Sequence, residues 1–269
     1  MPRRSRPAAV AVLAAIGFVL GAAGALAADV EGRLAPGGAA AVVGIVDGDT
    51  VVLDDGRQVR LVGIQAPKLP LGRKGFVAWP LAEAARRAVA DLIEGQTVRL
   101  AFGGVRMDRH HRVLAHLFRE DGLWVQGEML RRGLARVYTF PDNRALAGAM
   151  YAEEGAARTV RAGIWSDPFY AVRRPDGLAR EIGTFQVIEG RVLAATRSRE
   201  RVYLNFGPDW RSDFTVAVAV RDLALFDAAG MTPTSLAGRL LRVRGWLREW
   251  NGPMIEATHP EQIELLDGK

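Results

Sequence analysis

The chain has 269 residues, of which 49% are hydrophobic and 25% are charged, a composition typical of a globular protein rather than a disordered or fibrous one. It contains no cysteine, which excludes a disulfide framework, a thiolate metal site, a cysteine nucleophile and a cysteine-linked partner. The spacing of its four histidines excludes a zinc finger and an HExxH zinc site: they are His110, His111, His116 and His259.

The N-terminus has the three parts of a secretory signal. Three arginines in the first six residues precede an uncharged apolar run over residues 8–26, which ends in Ala25-Leu26-Ala27. The run is about long enough for a membrane anchor, but its small residues fall where a signal peptidase cleaves. We therefore predict a signal peptide over residues 1–27, export to the periplasm or the medium, and no stable membrane span after cleavage. Loss of the three arginines takes the net charge from +6 to +3.

Residues 40–170 predict a five-stranded barrel with helices. Two Asp-Gly turns separate three short β-branched runs, the pattern of a meander. Apolar residues then recur at helical spacing up to Gly95, and Asp142-Asn143 predicts the N-cap of a later helix. The predicted strands are 40–46, 50–53, 58–64, 97–102 and 112–119, and the predicted helices are 79–93, 125–132 and 142–163. Three strands, a helix and two strands is the order of an OB fold.

The remaining chain predicts a linker over residues 171–183 and a second, smaller OB-like barrel over residues 184–269. The order of elements repeats without a repeat of the sequence. The predicted strands are 185–195, 202–206, 214–220, 240–250, 254–258 and 263–266, with a short helix over 221–229. The predicted fold class is mainly β with α: a five-stranded OB barrel with helices, followed by the second barrel.

Three stretches of the first barrel carry candidate chemistry, at residues 46–50, 60–67 and 107–115. They combine a carboxylate at a hairpin turn with two arginines on different strands. An arginine donates two parallel hydrogen bonds to a phosphate, and a carboxylate suits calcium or magnesium. The ordinary interpretation of each stretch alone is structural: a hairpin turn, solvated arginines, and histidines in a turn.

Taken together, the three stretches resemble the thermonuclease family, the staphylococcal-nuclease-like domains. The resemblance extends from about residue 40 to residue 165 and includes the segments 133–138 and 162–165. It implies an OB barrel with helices, in agreement with the predicted order of elements. It also implies a calcium-dependent phosphodiesterase that acts on DNA and RNA, in a family with many secreted members.

The resemblance assigns a role to individual residues of this chain. It makes Asp49 the carboxylate ligand of the metal, while Asp47 supports the turn and Thr50 lies beside the metal. It makes Arg60 and Arg112 the two arginines that bind the phosphate and stabilise the transition state.

Three positions depart from the family pattern. Gln65 replaces a second metal carboxylate, and Lys68 replaces the glutamate that acts as base or orients the water. His110 replaces the tyrosine before the second arginine, and Arg109 keeps the positive charge that precedes it. Tyr138 falls near the position where the family has a tyrosine at the nucleotide pocket.

These departures weaken the expected metal site. Calcium takes six to eight oxygen ligands, and its affinity follows the charge of the ligands. Asp49, the amide oxygen of Gln65, the carbonyl of Ala66 and waters supply one negative charge where the family has two. We expect weak calcium binding or none. Loss of a general base costs about 10²–10⁴-fold in rate; Lys68 could instead direct positive charge at the phosphate, and His110 or His111 could act as base.

The second barrel interleaves aromatic residues with arginines, a pattern that stacks bases and follows a nucleic-acid backbone in some OB folds. The alternative is that the aromatics belong to the core and the arginines to a solvated face. Residues 184–269 contain 11 basic and 11 acidic residues, a net charge of zero, which favours the alternative.

The function that these observations predict is an exported hydrolase that cleaves phosphodiester bonds of DNA or RNA with the help of a divalent metal, on single-stranded or denatured nucleic acid. The alternative is a catalytically impaired relative that binds nucleic acid, an anionic ligand or a protein in the cell envelope. The pair of arginines favours the enzyme, and the residues at positions 65 and 68 favour the alternative.

Overall fold

A computed structural model describes residues 30–267, and the predicted signal peptide lies outside this range. The first part contains β1 (Ala35–Asp47), β2 (Thr50–Leu53), β3 (Gln58–Leu61), β4 (Ile64–Gln65), α1 (Ala82–Ile93), β5 (Thr97–Phe102), β6 (Val113–Arg119), α2 (Val125–Arg131), β7 (Arg136–Val137) and α3 (Ala147–Thr159). The second contains β8 (Phe185–Arg191), β9 (Ala194–Arg197), β10 (Arg201–Asn205), β11 (Thr215–Ala219), α4 (Leu223–Ala228), β12 (Leu240–Glu249), β13 (Pro253–Glu256) and β14 (Ile263–Leu265). Every helix within residues 30–267 is too short or too polar to cross a membrane.

The first barrel closes in the order β1-β2-β3-β6-β5, and β5 pairs back with β1. All neighbours are antiparallel except β3 and β6, which run parallel. Alternate side chains of these strands point inward, and α1 adds its apolar stripe to the same core through residues spaced three and four apart. The predicted OB barrel with helices is confirmed.

The second barrel has the same strand pairing. β8 pairs with β12 and β9 pairs with β10, so β8 and β9 act as two halves of one long first strand. β10 then pairs with β11, β11 runs parallel to β13, and β13 pairs with β12. The third and fifth strands of each barrel are therefore its parallel pair, and the second barrel is OB-like in topology as well as in order.

The strand predicted over residues 185–195 is two strands, β8 and β9, and two further differences lie beside the candidate site. The strand predicted over residues 58–64 ends at Leu61, because Gly63 adopts a φ of 84° and turns the chain so that β4 pairs with β7. The helix predicted from Asp142-Asn143 begins at Ala147 instead, and Asn143 is buried with its amide donating to the carbonyl of Val105. Asn143 therefore ties two loops together and caps no helix.

A buried ion pair joins the two barrels. Arg244 on β12 and Glu154 on α3 make two parallel hydrogen bonds of 2.9 Å, and both side chains are essentially inaccessible to solvent. Glu154 also accepts the backbone N–H of Val137, and Arg244 also donates to Glu264. Because each charge is paired and hydrogen-bonded, the contact fixes the second barrel to α3 and β7 of the first.

Candidate active site

The turn between β1 and β2 places two carboxylates side by side. The backbone N–H of Asp49 donates to Asp47 Oδ1 at 3.0 Å, which closes the turn, and both residues are buried. Gly48 between them has no room for a side chain, since a Cβ there would lie 2.7 Å from the Cβ atoms of Ala66 and Ala85. The Asp-Gly-Asp sequence thus packs a pair of acids against the start of α1.

Lys68 lies directly on these acids. Its Nζ is 2.6 Å from both carboxylate oxygens of Asp49 and 3.1 Å from Asp47 Oδ2. The backbone N–H of Ala66 donates to Asp49 Oδ2 at 2.8 Å, and the guanidinium of Arg60 lies 3.3 Å from the same oxygen. Asp49 therefore faces two positive charges and a backbone donor.

The pKa values of the two acids move in opposite directions. Burial by itself raises the pKa of Asp49, but the charges of Arg60 and Lys68 and the hydrogen bonds from Lys68 and Ala66 outweigh it and lower the pKa to about 2. Burial and the neighbouring charge of Asp49 raise the pKa of Asp47, although the charge of Lys68 lowers it. Asp49 is thus held as the carboxylate of the pair.

The predicted calcium ligands do not present the oxygens that calcium requires. Both oxygens of Asp49 already accept from Lys68, and Oδ1 also lies 3.3 Å from the hydroxyl of Thr50. Gln65 turns away, with its amide oxygen accepting from the guanidinium of Arg136 at 2.7 and 2.9 Å. A dication would have to approach these oxygens against the adjacent ammonium, so the residues present do not fit calcium.

The two predicted phosphate arginines reach the site from different elements. Arg60, on β3, donates to the carbonyl oxygens of Leu61 and Ile64 at 2.7 and 2.6 Å, which fixes its guanidinium at the end of the barrel. Arg112 immediately precedes β6 and forms a two-point ion pair with Asp108, at 2.8 and 2.7 Å. Both guanidinium groups are held in place by the protein itself.

Both arginines line one cleft of about 500 Å³. Arg109, His110, Tyr138 and Phe140 line it as well, and Phe140 is 47% exposed. Fixed positive charge therefore lies beside exposed aromatic surface in a concave space of the size that binds small ligands. Of the lining residues, Arg60 is the one whose side chain reaches the carboxylate of Asp49.

The loop between β5 and β6 positions the remaining predicted residues. Asp108 Oδ1 accepts the backbone N–H groups of His110 and Arg112, so one carboxylate orders the loop and orients the arginine. Arg109 Nε lies 3.2 Å from His110 Nε2, which places both side chains on the open side of the cleft. His111 has a φ of 61° and is a turn residue, as its position next to the loop tip predicts.

Two residues of the site had no role in the sequence analysis. Asp108 belongs to the stretch 107–115, and its position four residues before Arg112 was the available signal. Arg136 belongs to the segment 133–138, but its partner Gln65 lies 71 residues away, so no local pattern pairs them. Its guanidinium also lies 4.4 Å from the ring centre of Phe185 in the second barrel.

Comparison with known proteins identifies the family. Residues 58–167 match the family described as staphylococcal nuclease homologue. An uncharacterized endonuclease of Escherichia coli is 30% identical over 145 residues, which are 53% of this chain and 81% of that protein. The chain belongs to the staphylococcal nuclease family. A second relative, Protein ParB of Escherichia coli, is 35% identical over 138 residues, 47% of this chain and 72% of its own length.

The family membership confirms the predicted enzyme class, a phosphodiesterase of the nuclease type. The family match begins at residue 58, so Arg60, Gln65, Lys68 and Arg112 lie inside it, whereas Asp47 and Asp49 precede it. It ends at residue 167, before the second barrel. The family match therefore does not explain what the second barrel does.

Proposed function

We propose that the protein hydrolyses phosphodiester bonds of DNA or RNA in the cleft that Arg60 and Arg112 line. The observation that carries the proposal is that two guanidinium groups, each fixed by hydrogen bonds, lie in one cleft of a staphylococcal nuclease barrel. A planar fork that stays charged matches two oxygens of a phosphate. A phosphodiester seated between the two forks gains most when negative charge grows on its oxygens.

The reaction adds water across a P–O ester bond. A water oxygen attacks the phosphorus, the bond to the leaving sugar oxygen breaks, and that oxygen takes up a proton from the surrounding water. Arg60 and Arg112 stabilise the charge on the two oxygens of the phosphate that do not react. His110 also lines the cleft and is the base of this proposal; Nδ1 is the nitrogen that accepts the proton of the water, because Nε2 lies 3.2 Å from Arg109 Nε.

Lys68 contributes to the reaction through its contact with Asp49. A buried pair of acids next to a phosphate site would repel the substrate, and the ammonium compensates this charge. Asp49 then orients Arg60, since its oxygen lies 3.3 Å from that guanidinium. The positive charge that favours the transition state comes from side chains of the chain itself.

Metal assistance is the other form of this function. The family supports it, because its members are calcium-dependent in general, whereas the donor set around Asp49 argues against it. The proposed steps therefore use no metal. A chelator distinguishes the two forms, because a metal-assisted reaction stops when the cation is removed.

A second candidate function is binding without cleavage. The side chain at the position of the family's glutamate is an ammonium engaged with two carboxylates, so it cannot orient a water as a glutamate does. The cleft would then hold a phosphate or a nucleic acid without turning it over. This is the function of the impaired relative that the sequence predicts as its alternative.

One experiment separates these functions. The mature chain is incubated with denatured DNA and with RNA, in calcium, in magnesium and in chelator, and the products are resolved by length. Cleavage in all three conditions supports the proposal, and cleavage only with a cation supports metal assistance. Binding of the same nucleic acids without any cleavage supports the second candidate function.

Export is also proposed, on the pattern of residues 1–27. The test is the N-terminus of the protein found in the cell envelope or the medium. A chain that begins at Ala28 supports export with cleavage. A chain in the membrane fraction that retains Met1 contradicts it.

A further inference from the structure

The outer face of the second barrel carries exposed side chains along β12 and the turn that follows it. Trp246 and Arg248 are two residues apart on β12 and therefore lie on one face, and the exposed Trp250 follows at the turn. Continuing the register of β12 and β13 by one residue sets Trp246 opposite Glu256, which is level with the buried Ala217 on β11. The open path from Trp246 to Trp250, which we call the groove, therefore follows β12.

The groove begins at the cleft of the first barrel. Trp246 Nε1 donates to the hydroxyl of Tyr138 at 3.1 Å, and Tyr138 and Phe140 line both that cleft and the pocket beside Trp246. Trp246 remains 41% exposed despite this contact. An extended ligand that leaves the cleft past Phe140 therefore meets the face of Trp246 next.

The groove ends in a second aromatic pocket, of about 420 Å³. Tyr203, Trp210 and Trp250 line it, and the two tryptophans are 49% and 59% exposed. Asn205 and Thr215 supply polar groups at its floor, with the threonine hydroxyl 3.2 Å from the amide oxygen. Flat apolar surfaces above a few polar groups suit a planar, hydrogen-bonding ring such as a nucleobase.

Arginines accompany the aromatic side chains along the groove. Arg248, two residues after Trp246 on the same face of β12, is exposed, and the Cζ of Arg211 lies 4.5 Å from the ring centre of Trp210. Glu256, beside this path, lies 3.6 Å from both Arg201 and Arg248, and Arg211 lies 3.9 Å from Asp209. Most of the charge along the groove is therefore compensated, and Arg248, whose side chain is 68% exposed, is the arginine best placed to meet a phosphate.

We propose that this groove, from Trp246 to the pocket at Trp250, binds an unpaired single strand of nucleic acid that continues from the cleft. Unstacked bases lie on the aromatic faces and phosphates lie near Arg248, the arrangement that OB folds allow without sequence preference. A duplex keeps its bases stacked on one another and cannot use these faces. The identity of the bound polymer as substrate rests on the proposed function; the binding itself does not.

The experiment measures binding on ice, and the oligonucleotide is resolved by length afterwards, so that the Kd is read only from uncut strands. A fluorescently labelled, unpaired oligonucleotide of about 16 nucleotides and a duplex of the same sequence are titrated with the full chain, and anisotropy gives the Kd. We expect the single strand to bind more tightly than the duplex. Trp250→Ala should weaken single-strand binding about 5- to 150-fold, and Trp250→Phe, which keeps a flat face, should recover most of the loss.

Two arginine-to-alanine variants, which remove the same charge at different places, form a matched pair. Arg248→Ala should reduce the slope of log Kd against log salt by about one, whereas Arg221→Ala, an exposed arginine outside the groove, should leave it unchanged. Equal binding of duplex and single strand, or unchanged binding by Trp250→Ala and Arg248→Ala, overturns the inference. A chain that binds in this way but cleaves nothing supports the inference and contradicts the proposed hydrolysis.

Discussion

The ammonium of Lys68 lies 2.6 Å from each carboxylate oxygen of Asp49, with the guanidinium of Arg60 on the same carboxylate at 3.3 Å. The position that carries a glutamate in the family pattern here carries the opposite charge. Together with Gln65 in place of an acid, this changes the balance of charge at the site by three positive units: two acids are lost and one base is gained. Such a site attracts a phosphate better and a dication worse than the family pattern does.

Restoring the two acids should create a calcium site. In the double variant Gln65→Asp, Lys68→Glu, the oxygens of Asp49 lose the ammonium and gain two neighbouring carboxylates, so calcium affinity should rise. A ligand that binds the folded state at 100 times its Kd stabilises it by about 2.7 kcal/mol. Thermal unfolding with and without calcium measures this: the double variant should gain stability in calcium, and the wild type should not.

Lys74→Glu is the control for this variant, because it repeats the charge change of Lys68→Glu at an exposed lysine of the same loop. It should respond to calcium as the wild type does. If calcium stabilised the wild type as much as the double variant, Lys68 would have to leave the two carboxylates when calcium binds. The donor set described for Asp49 would then be wrong.

The cleft arginines should control the rate. Arg60→Ala and Arg112→Ala should each lower the rate of cleavage by orders of magnitude, since each removes a charge aimed at the transition state. Arg112→Lys should recover only part of the loss, because lysine keeps the charge without the fork. Asp108→Asn should lower the rate less than Arg112→Ala does, because it loosens Arg112 but leaves the charge. Single-turnover rates with saturating enzyme measure all four, and full activity of both alanine variants would place the chemistry elsewhere.

Local patterns in the sequence predicted most of the fold. The Asp-Gly turns and the helical spacing before Gly95 each involve neighbours in the chain, and the strands and helix that they predict are present. The prediction that a helix begins at Asp142-Asn143 was wrong for a physical reason. The side-chain amide of Asn143 donates to the carbonyl of Val105, 38 residues away, and so leaves the backbone donors of the helix uncapped.

The candidate site was less predictable, because its contacts join distant residues. That Arg60 and Arg112 point at one cleft followed from the resemblance, and the structure places both there. That Gln65 turns to Arg136, or that Lys68 reaches back 19 residues to Asp49, follows from packing that no local pattern encodes. The same holds for Arg244 and Glu154, which are 90 residues apart.

The buried pair between the barrels should stabilise the whole chain. Arg244→Met leaves the carboxylate of Glu154 buried without its partner, and breaking a buried pair in this way costs about 3–5 kcal/mol. The double variant with Glu154→Gln should lose less, because no charge remains buried. Arg248→Met is the control: that arginine is 68% exposed in its side chain, so its pair should contribute about 1 kcal/mol or less. Urea unfolding gives all three values, and equal losses in Arg244→Met and Arg248→Met would contradict the role of the pair.

Two buried histidines stay neutral in the folded chain. Burial lowers the pKa of His116 to about 3, and its Nδ1 accepts the indole N–H of Trp124 at 3.3 Å. Burial and the charge of Arg144 lower the pKa of His259 to about 4, and its Nε2 lies 2.8 Å from the hydroxyl of Thr139 across the interface between the barrels. The charge of Arg144 opposes the imidazolium form of His259, and the indole N–H of Trp124 opposes protonation of His116 at Nδ1.

Stability should therefore fall as the pH drops below about 6.5, the value for histidine in an unfolded chain. Between pH 6.5 and 4 the unfolded chain binds two protons that the folded chain does not, so the free energy of unfolding falls by up to about 1.4 kcal/mol per pH unit for each histidine. Of the two histidines, only His116 continues to contribute below pH 4, until about pH 3. Carboxylates of lowered pKa, such as Asp49, add to the fall below about pH 5. Urea unfolding from pH 7 to about 5 therefore measures the slope that the histidines cause. His116→Phe should reduce it by about half; a slope that His116→Phe does not alter would mean that this ring is protonated in the folded protein.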